Sequence, residues 1–289
     1  MKDFILATDS NTEFSAEYAK ELGVSQIEME IILDGKAMFA SEIEDYNKFY
    51  EDMKNGILPT TTQINVDRFC EWFSSLMADG KDLLYFGLSS GLSGSFQSAT
   101  IAKTILEEKF PKQKVFIVDS VSASMGEGLF LYTVNEYKKA GHTIEETADF
   151  AQKQALCISH WFTVDDLNHL YRGGRVSKLA AVFGTMLNIK PVLNVDDAGK
   201  LIPRDKVRGR RQALDALVEK YNKYADKSRE QVVFASHGGC YEDAKYVLDK
   251  VLANNDVKFS MINTIGPVIG AHSGPGTVAL FFYSKSRDL

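Results

Sequence analysis

Several places in this chain carry side chains suited to holding or transforming an anion. The first is the stretch 85–99, YFGLSSGLSGSFQSA, an apolar run followed by a Gly/Ser loop and a helix start. N–H groups at a helix N-terminus lack partners inside the helix and carry partial positive charge. With serine hydroxyls beside them they form a site for a phosphate or a carboxylate. Gly91 and Gly94 let the backbone approach a ligand closely. The pattern is neither GxxxxGK[ST] nor GxGxxG, and it has no P-loop lysine. Ser95 stands where GxSxG needs its last glycine, so no nucleophile elbow is indicated. The same residues would also make a capped Ser/Gly turn with no ligand.

The second place is 58–69, LPTTTQINVDRF. Thr60, Thr61 and Thr62 read as a loop before a helix that Asn65 or Asp67 caps, and their hydroxyls could instead serve a carboxylate. The third is 265–282, where Gly266, Gly270, Gly274, Gly276, Pro267 and Pro275 surround His272 beside a strand. A histidine there could give an anion a donor or a cation, or could be structural. Basic residues gather at Arg172, Arg175 and Lys178 around Gly173-Gly174, before an apolar stretch at 179–187. They gather again at Arg204, Lys206, Arg208, Arg210 and Arg211. The second group reads either as a solvated helix face or as a docking surface for an acidic partner. His237-Gly238-Gly239 is similar to the oxyanion loop of some esterases, but without GxSxG it reads as a strand-end turn. The competing enzyme reading is a serine hydrolase or phosphotransferase that uses Ser93 with His272 or His237.

The elements that position these residues follow from periodicity and turn signals. Strands are expected at 3–8, 26–33, 82–88 and 114–118, and helices at 14–22, 44–55, 66–78, 95–109 and 127–139. Three strands end in polar loops, at Thr8-Asp9-Ser10, at 89–94 and at Asp119-Ser120. In an open parallel sheet these loops gather on the ligand-binding edge. A helix at 144–160 leads into Ile158–Phe162, and the pattern then changes, which places a boundary near 156. Beyond it are expected strands at 189–195, 200–203, 231–236, 258–264 and 277–283, with helices at 207–225 and 241–253. Hairpin signals mix with strand–helix alternation here, so the second sheet should be mixed or antiparallel. The fold class is α/β in two domains, a Rossmann-like parallel-sheet domain at 1–156 and a mixed-sheet α/β domain at 157–289.

The chain has 289 residues, 45% hydrophobic and 25% charged, which is enough apolar material for a sizeable core. Its net charge of -6 argues against nucleic acid as a partner. Cys70, Cys157 and Cys240 form no CxxC and no metal spacing, so no metal or cofactor is expected and a reducing, cytoplasmic setting is. No leader and no membrane span is expected.

Taken together, the motifs TTTQ, SSGLSGSFQSA, DSVSASMGEG, LYRGGRVS, LNIKPVL, VRGRRQAL and GPVIGAHSGPGT occur in the order found in the DegV family of bacterial proteins, which the chain resembles over about 3–283. The resemblance implies a lipid-binding protein that holds one long-chain fatty acid, such as palmitate or oleate, between two domains. It implies no catalysis by the chain itself. A separate fatty acid kinase subunit would phosphorylate the carboxylate with ATP, and transient membrane contact would accompany lipid exchange. Carried over by position, Thr61, Thr62, Ser93 and Gly94 would hold the carboxylate, with His272 beside it. Arg172, Arg175, Arg204, Arg208 and Arg210 would serve kinase docking or the phosphate. The family usually has TSQPS in the second motif. Here Thr61-Thr62-Gln63-Ile64-Asn65 keeps a hydroxyl, adds a methyl and lacks the proline. The segments 179–187 and 123–134 would line the tail tunnel.

Overall fold

The computed structural model describes residues 3–177 and 188–287. Four strands, β1 (Phe4–Asp9), β2 (Val24–Ile27), β6 (Asp82–Gly87) and β7 (Val115–Asp119), form a parallel sheet in the order β2-β1-β6-β7. β6 is buried on both faces, and its side chains divide with period two. Leu83 and Tyr85 meet Phe69, Phe73 and Met77 of α3 (Val66–Met77) and Ala99, Ala102 and Leu106 of α4 (Ser95–Lys109). Leu84 and Phe86 meet Leu129, Phe130 and Val134 of α5 (Met125–Lys139) and Ile144, Ala148 and Ala151 of α6 (Ile144–Gln154).

The second sheet has six strands in the order β10-β9-β8-β13-β11-β12. These are β8 (Ile158–Thr163), β9 (Ile189–Val195), β10 (Leu201–Arg208), β11 (Gln231–His237), β12 (Val257–Thr264) and β13 (Val278–Tyr283). Only β11 with β12 is a parallel pair; the others are antiparallel. Again the side chains alternate. Val232, Phe234 and Phe281 face the same core as α5, whereas Val233, Ala235 and Phe282 face the outer helices Arg210–Tyr224 and Tyr241–Asn254. α5 is thus enclosed between the two sheets, which explains why nearly every residue from Met125 to Asn135 is buried.

A third, smaller antiparallel sheet has the order β4-β3-β5. β3 (Glu30–Leu33) and β4 (Lys36–Phe39) are joined by Asp34 and Gly35 with φ of 50° and 76°, the left-handed pair of a tight hairpin turn. β5 (Thr60–Thr62) adds along β3. Ile31 packs with Phe49, Tyr50 and Met53 of α2 (Tyr46–Lys54) against Ile265 and Ala271.

Six sequence expectations change. The stretch 26–33 splits at Glu28-Met29 into β2 and β3, which belong to different sheets. β4 was not expected, and Thr60–Thr62 is a strand rather than a loop, because β3 offers it a free edge. Ile158–Thr163 is a strand, and it enters the sheet core beside β13. β10 continues to Arg208, and the next helix starts at Arg210, not 207. The basic group therefore lies on an edge strand and a helix start rather than on one helix face. Charges together with Pro203 and a bulge between Pro203 and Asp205 suit an edge that must not pair further. Lastly, His272 lies on a helix, Pro267–Ser273, where Pro267 sits in the first turn and Gly274, at φ 79°, ends it.

Candidate functional site

The loops after β6 and β7 reach one edge of the parallel sheet, where they meet β5, the helix Pro267–Ser273 and side chains of β8, β9, β10 and β13 in the second sheet. A cavity lies between them. Met29, Leu88, Leu92 and Ala123 wall it from the first half of the chain. Phe162, Leu170, Val195, Leu201, Val268, Ile269 and Phe281 wall it from the second. Thr61, Gln63, Ser93, Gly94, Arg175 and His272 supply polar groups to the same wall.

These polar residues form a connected patch. Thr61 Oγ1 lies 2.8 Å from His272 Nε2. The other ring nitrogen, His272 Nδ1, packs on Gly173; a Cβ added there would lie 2.1 Å from it. Gly174 has φ 75° and turns the chain after the helix Asn168–Arg172. The two glycines thus do different things, one turning the backbone and one leaving room for the imidazole. The turn carries Arg175 back to the cavity, where its Nε and Nη2 donate to Leu92 O at 3.0 and 2.8 Å and its Nη1 donates to Gly173 O. Leu92 directly precedes Ser93, so the guanidinium fixes the serine loop from below. Burial holds the Arg175 pKa below its ordinary value.

At the start of α4, Ser93 Oγ donates to Ser95 Oγ at 3.0 Å and accepts from Ser95 N–H at 3.2 Å. Ser95 Oγ in turn accepts from Ile64 N–H at 3.0 Å, which ties the serine loop to the threonine segment. Gly94 caps α4 with no side chain of its own, and Gln63 fills the space: a Cβ on Gly94 would lie 2.1 Å from Gln63 Oε1. First-turn N–H groups of α4 therefore sit beside the Ser93 hydroxyl. Of the roles left open for His272, the cationic one is disfavoured, because burial, aided by the Arg175 charge, pushes its pKa down to about 4. It enters the site as a neutral donor or acceptor, and Arg175 is the positive group.

The structure brings Thr61, Ser93, Gly94 and His272 together, and it does not bring Thr62. Strand alternation turns Thr62 to the other face of β5, where its hydroxyl donates to Glu30 Oε2 at 3.2 Å. Arg175, expected among the docking residues, lines the cavity instead. Arg172 is exposed and contacts His169 Nδ1 at 3.0 Å. Arg204 is exposed on β10 and donates to Asn194 Oδ1 at 2.9 Å, and Arg208 is exposed at the end of that strand. Arg210 is committed to the fold, with Asp243 at 2.7 Å and Asp165 at 3.5 Å. Lys178 and 179–187 lie outside the described residues. In 123–134, Ala123 and Ser124 reach the cavity, while Leu129, Phe130 and Val134 belong to the core between the sheets. Gln63, which directly follows β5 and stands two residues after Thr61, was missed. Neither histidine of the hydrolase reading bonds Ser93: His272 pairs with Thr61, and His237 Nδ1 accepts from Cys240 N–H at 3.3 Å. Among the described residues no three His, Cys, Asp or Glu side chains group as a metal site, and no helix is long and apolar enough to cross a membrane.

Two α/β layers around a mainly apolar cavity that also carries hydrogen-bonding side chains have the form of a small-molecule pocket. The chain belongs to the DegV family, described as uncharacterised proteins, whose model matches residues 4–285. A DegV domain-containing protein of Clostridium perfringens is 36% identical over 290 residues, covering 100% of both chains. Another from Streptococcus pyogenes is 35% identical over 98% of this chain and 99% of its own. Among solved structures, a DegV family protein from Thermus thermophilus described by its fatty acid binding superposes with a TM-score of 0.89 at 26% identity, covering 98% of this chain and 100% of that one. DegV of Bacillus subtilis, described as a fatty acid binding protein, gives 0.85 at 26% identity, covering 99% and 100%.

Proposed function

We propose that this chain binds one long-chain fatty acid in this cavity, between residues 1–156 and 157–289, and presents it in the cytoplasm to a separate fatty acid kinase for ATP-dependent acyl-phosphate formation. The carboxylate sits at Thr61, Ser93, Gly94 and His272, and the tail lies along the apolar wall. The observation that carries this reading is that one cavity joins the Thr61–His272–Arg175–Ser93 patch to a long run of apolar side chains, with Ser124, Ser273 and Thr277 as further polar lining. The fatty-acid-binding relatives in Thermus and Bacillus support it.

The physical chemistry fits. A carboxylate is costly to bury unless hydroxyls, N–H groups or a cation meet it, and this patch offers all three. Each buried CH₂ contributes about 0.8 kcal/mol, so a C16 tail gains roughly 10 kcal/mol before the costs of association. Neither Ser93 nor the histidines form a nucleophile–base pair, which favours a carrier over a serine hydrolase. Arg172, Arg204 and Arg208 are exposed and suit an acidic face on the kinase, whereas Arg210 is already paired. The direct test is titration with palmitate or oleate of the wild type and of Ser93→Ala. Equal affinity would remove Ser93 from the carboxylate site.

A further inference from the structure

Arg287 follows β13 and is 1% exposed, although it is a full charge. Its guanidinium bridges two separate segments, 155–158 and 121–122. Nε donates to Ile158 O at 2.7 Å, Nη2 to Ala155 O at 2.7 Å and to Ser122 Oγ at 3.0 Å, and Nη1 donates to Val121 O. No carboxylate is among these direct partners. Asp197, Asp119 and Asp196 supply a negative field from farther off, while burial draws the Arg287 pKa down to about 10, which leaves it charged at neutral pH. Burying a cation against carbonyls and a hydroxyl carries a large desolvation cost, so what it fastens matters.

It fastens a strained turn. Val121 has φ 50° and Ser124 has φ 55°. Positive φ is disfavoured for any side chain and most of all for a β-branched one. The turn is held on several sides: Val121 N–H donates to Asp119 Oδ1 at 2.9 Å, and Ser120 Oγ donates to Gly87 O at 2.6 Å. Within this turn, Ala123 and the strained Ser124 reach the cavity wall. From the same turn a chain of bonds runs to the carboxylate loop. Ser122 O accepts from Ser89 N–H at 2.9 Å, and Ser89 O accepts from Ser93 N–H at 3.1 Å.

We infer that Arg287 is a positioning residue for the ligand: it clamps the strained Val121–Ser124 turn, and through Ser122 and Ser89 it sets both the wall formed by Ala123 and Ser124 and the place of Ser93. The inference rests on the fatty-acid reading for the identity of the ligand, but the clamp itself does not. Lysine keeps the charge but cannot reach three carbonyls and a hydroxyl at once.

The experiment compares wild type, R287K, V121G and R287K/V121G in three measurements: palmitate affinity, hydrogen exchange in 88–95 and 119–124, and thermal unfolding. R287K should weaken palmitate about tenfold and speed exchange in those two segments while exchange in β11 and β13 stays unchanged. Glycine accepts φ 50° without strain, so V121G in the R287K background should restore affinity to within about threefold. Unchanged affinity and exchange in R287K would overturn the inference, as would a general loss of protection that V121G does not repair. Should R287K fail to fold, the double variant decides: folded and binding supports the clamp, unfolded assigns Arg287 to stability alone. Failure of the wild type to bind palmitate would count against the fatty-acid reading, and the exchange pattern would still judge the clamp.

Discussion

His272 Nε2 lies 2.8 Å from Thr61 Oγ1, across 211 positions of sequence. The contact joins a strand of the small sheet to the helix Pro267–Ser273, and Gly173 leaves the space that allows it. Gly173→Ala would put a Cβ 2.1 Å from His272 Nδ1. The ring must then move and lose Thr61. Affinity for a fatty acid should fall at least about tenfold, the weight of one hydrogen bond to a charged group. Calorimetric titration checks this, and unchanged affinity would show that the imidazole does not face the ligand.

Ser93→Ala removes a hydroxyl that also caps Ser95 N–H at 3.2 Å. The expected loss is about 1.5–3 kcal/mol in binding, with a smaller effect on stability because the cap is partly replaced by water. Ser95→Ala offers the comparison. Its hydroxyl receives Ile64 N–H at 3.0 Å and is not on the cavity wall, so it should cost stability more than affinity. Denaturant unfolding beside the binding titration separates the two.

The pH dependence of stability should show two opposing groups. His272 falls from 6.5 to about 4 on folding. Between those values the unfolded chain holds a proton that the folded chain does not. Its contribution is complete above 6.5 and is lost as pH falls towards 4, with a limiting slope of about 1.4 kcal/mol per pH unit. Glu13 rises from 4.5 to about 8, because burial outweighs its bond from Gly266 N–H at 2.6 Å. Its contribution is complete below 4.5 and is lost as pH climbs through 8. His272→Gln should flatten the acid side of the stability profile, and Glu13→Gln the alkaline side. Identical profiles for wild type and either variant would contradict the assignment for that residue.

The parts of this molecule that are local in sequence were readable there. Asn65 caps α3 through Arg68 N–H at 2.9 Å, and the start of α4 at Ser95 follows from the Gly/Ser loop before it. What was not readable depends on a distant partner. Thr60–Thr62 becomes a strand only because β3 presents an edge, and that pairing alone decides that Thr61 faces the cavity and Thr62 faces Glu30. Arg175 looked like a surface cation because nothing in LYRGGRVS shows that Gly173-Gly174 turns it inward. Neutral His272 is likewise a consequence of burial that the residues around it in sequence do not reveal.

Charge reversal at Arg204 and Arg208 should leave fatty-acid binding within about twofold, since neither residue is on the cavity wall. It should slow phosphorylation of the bound lipid by a kinase subunit, mostly through slower association, and the defect should shrink as salt rises. Arg210→Glu is different. It breaks the pairs with Asp243 and Asp165 and should lower stability whether or not a partner is present. Full phosphorylation by the Arg204/Arg208 double variant would exclude β10 as the docking edge.

The most direct measurement is native mass spectrometry of the protein purified without added lipid, followed by gas chromatography of an organic extract. The account predicts one fatty acid per chain, released on denaturation and identified by its tail. A clean apo mass that stays apo after palmitate and oleate are added would contradict it.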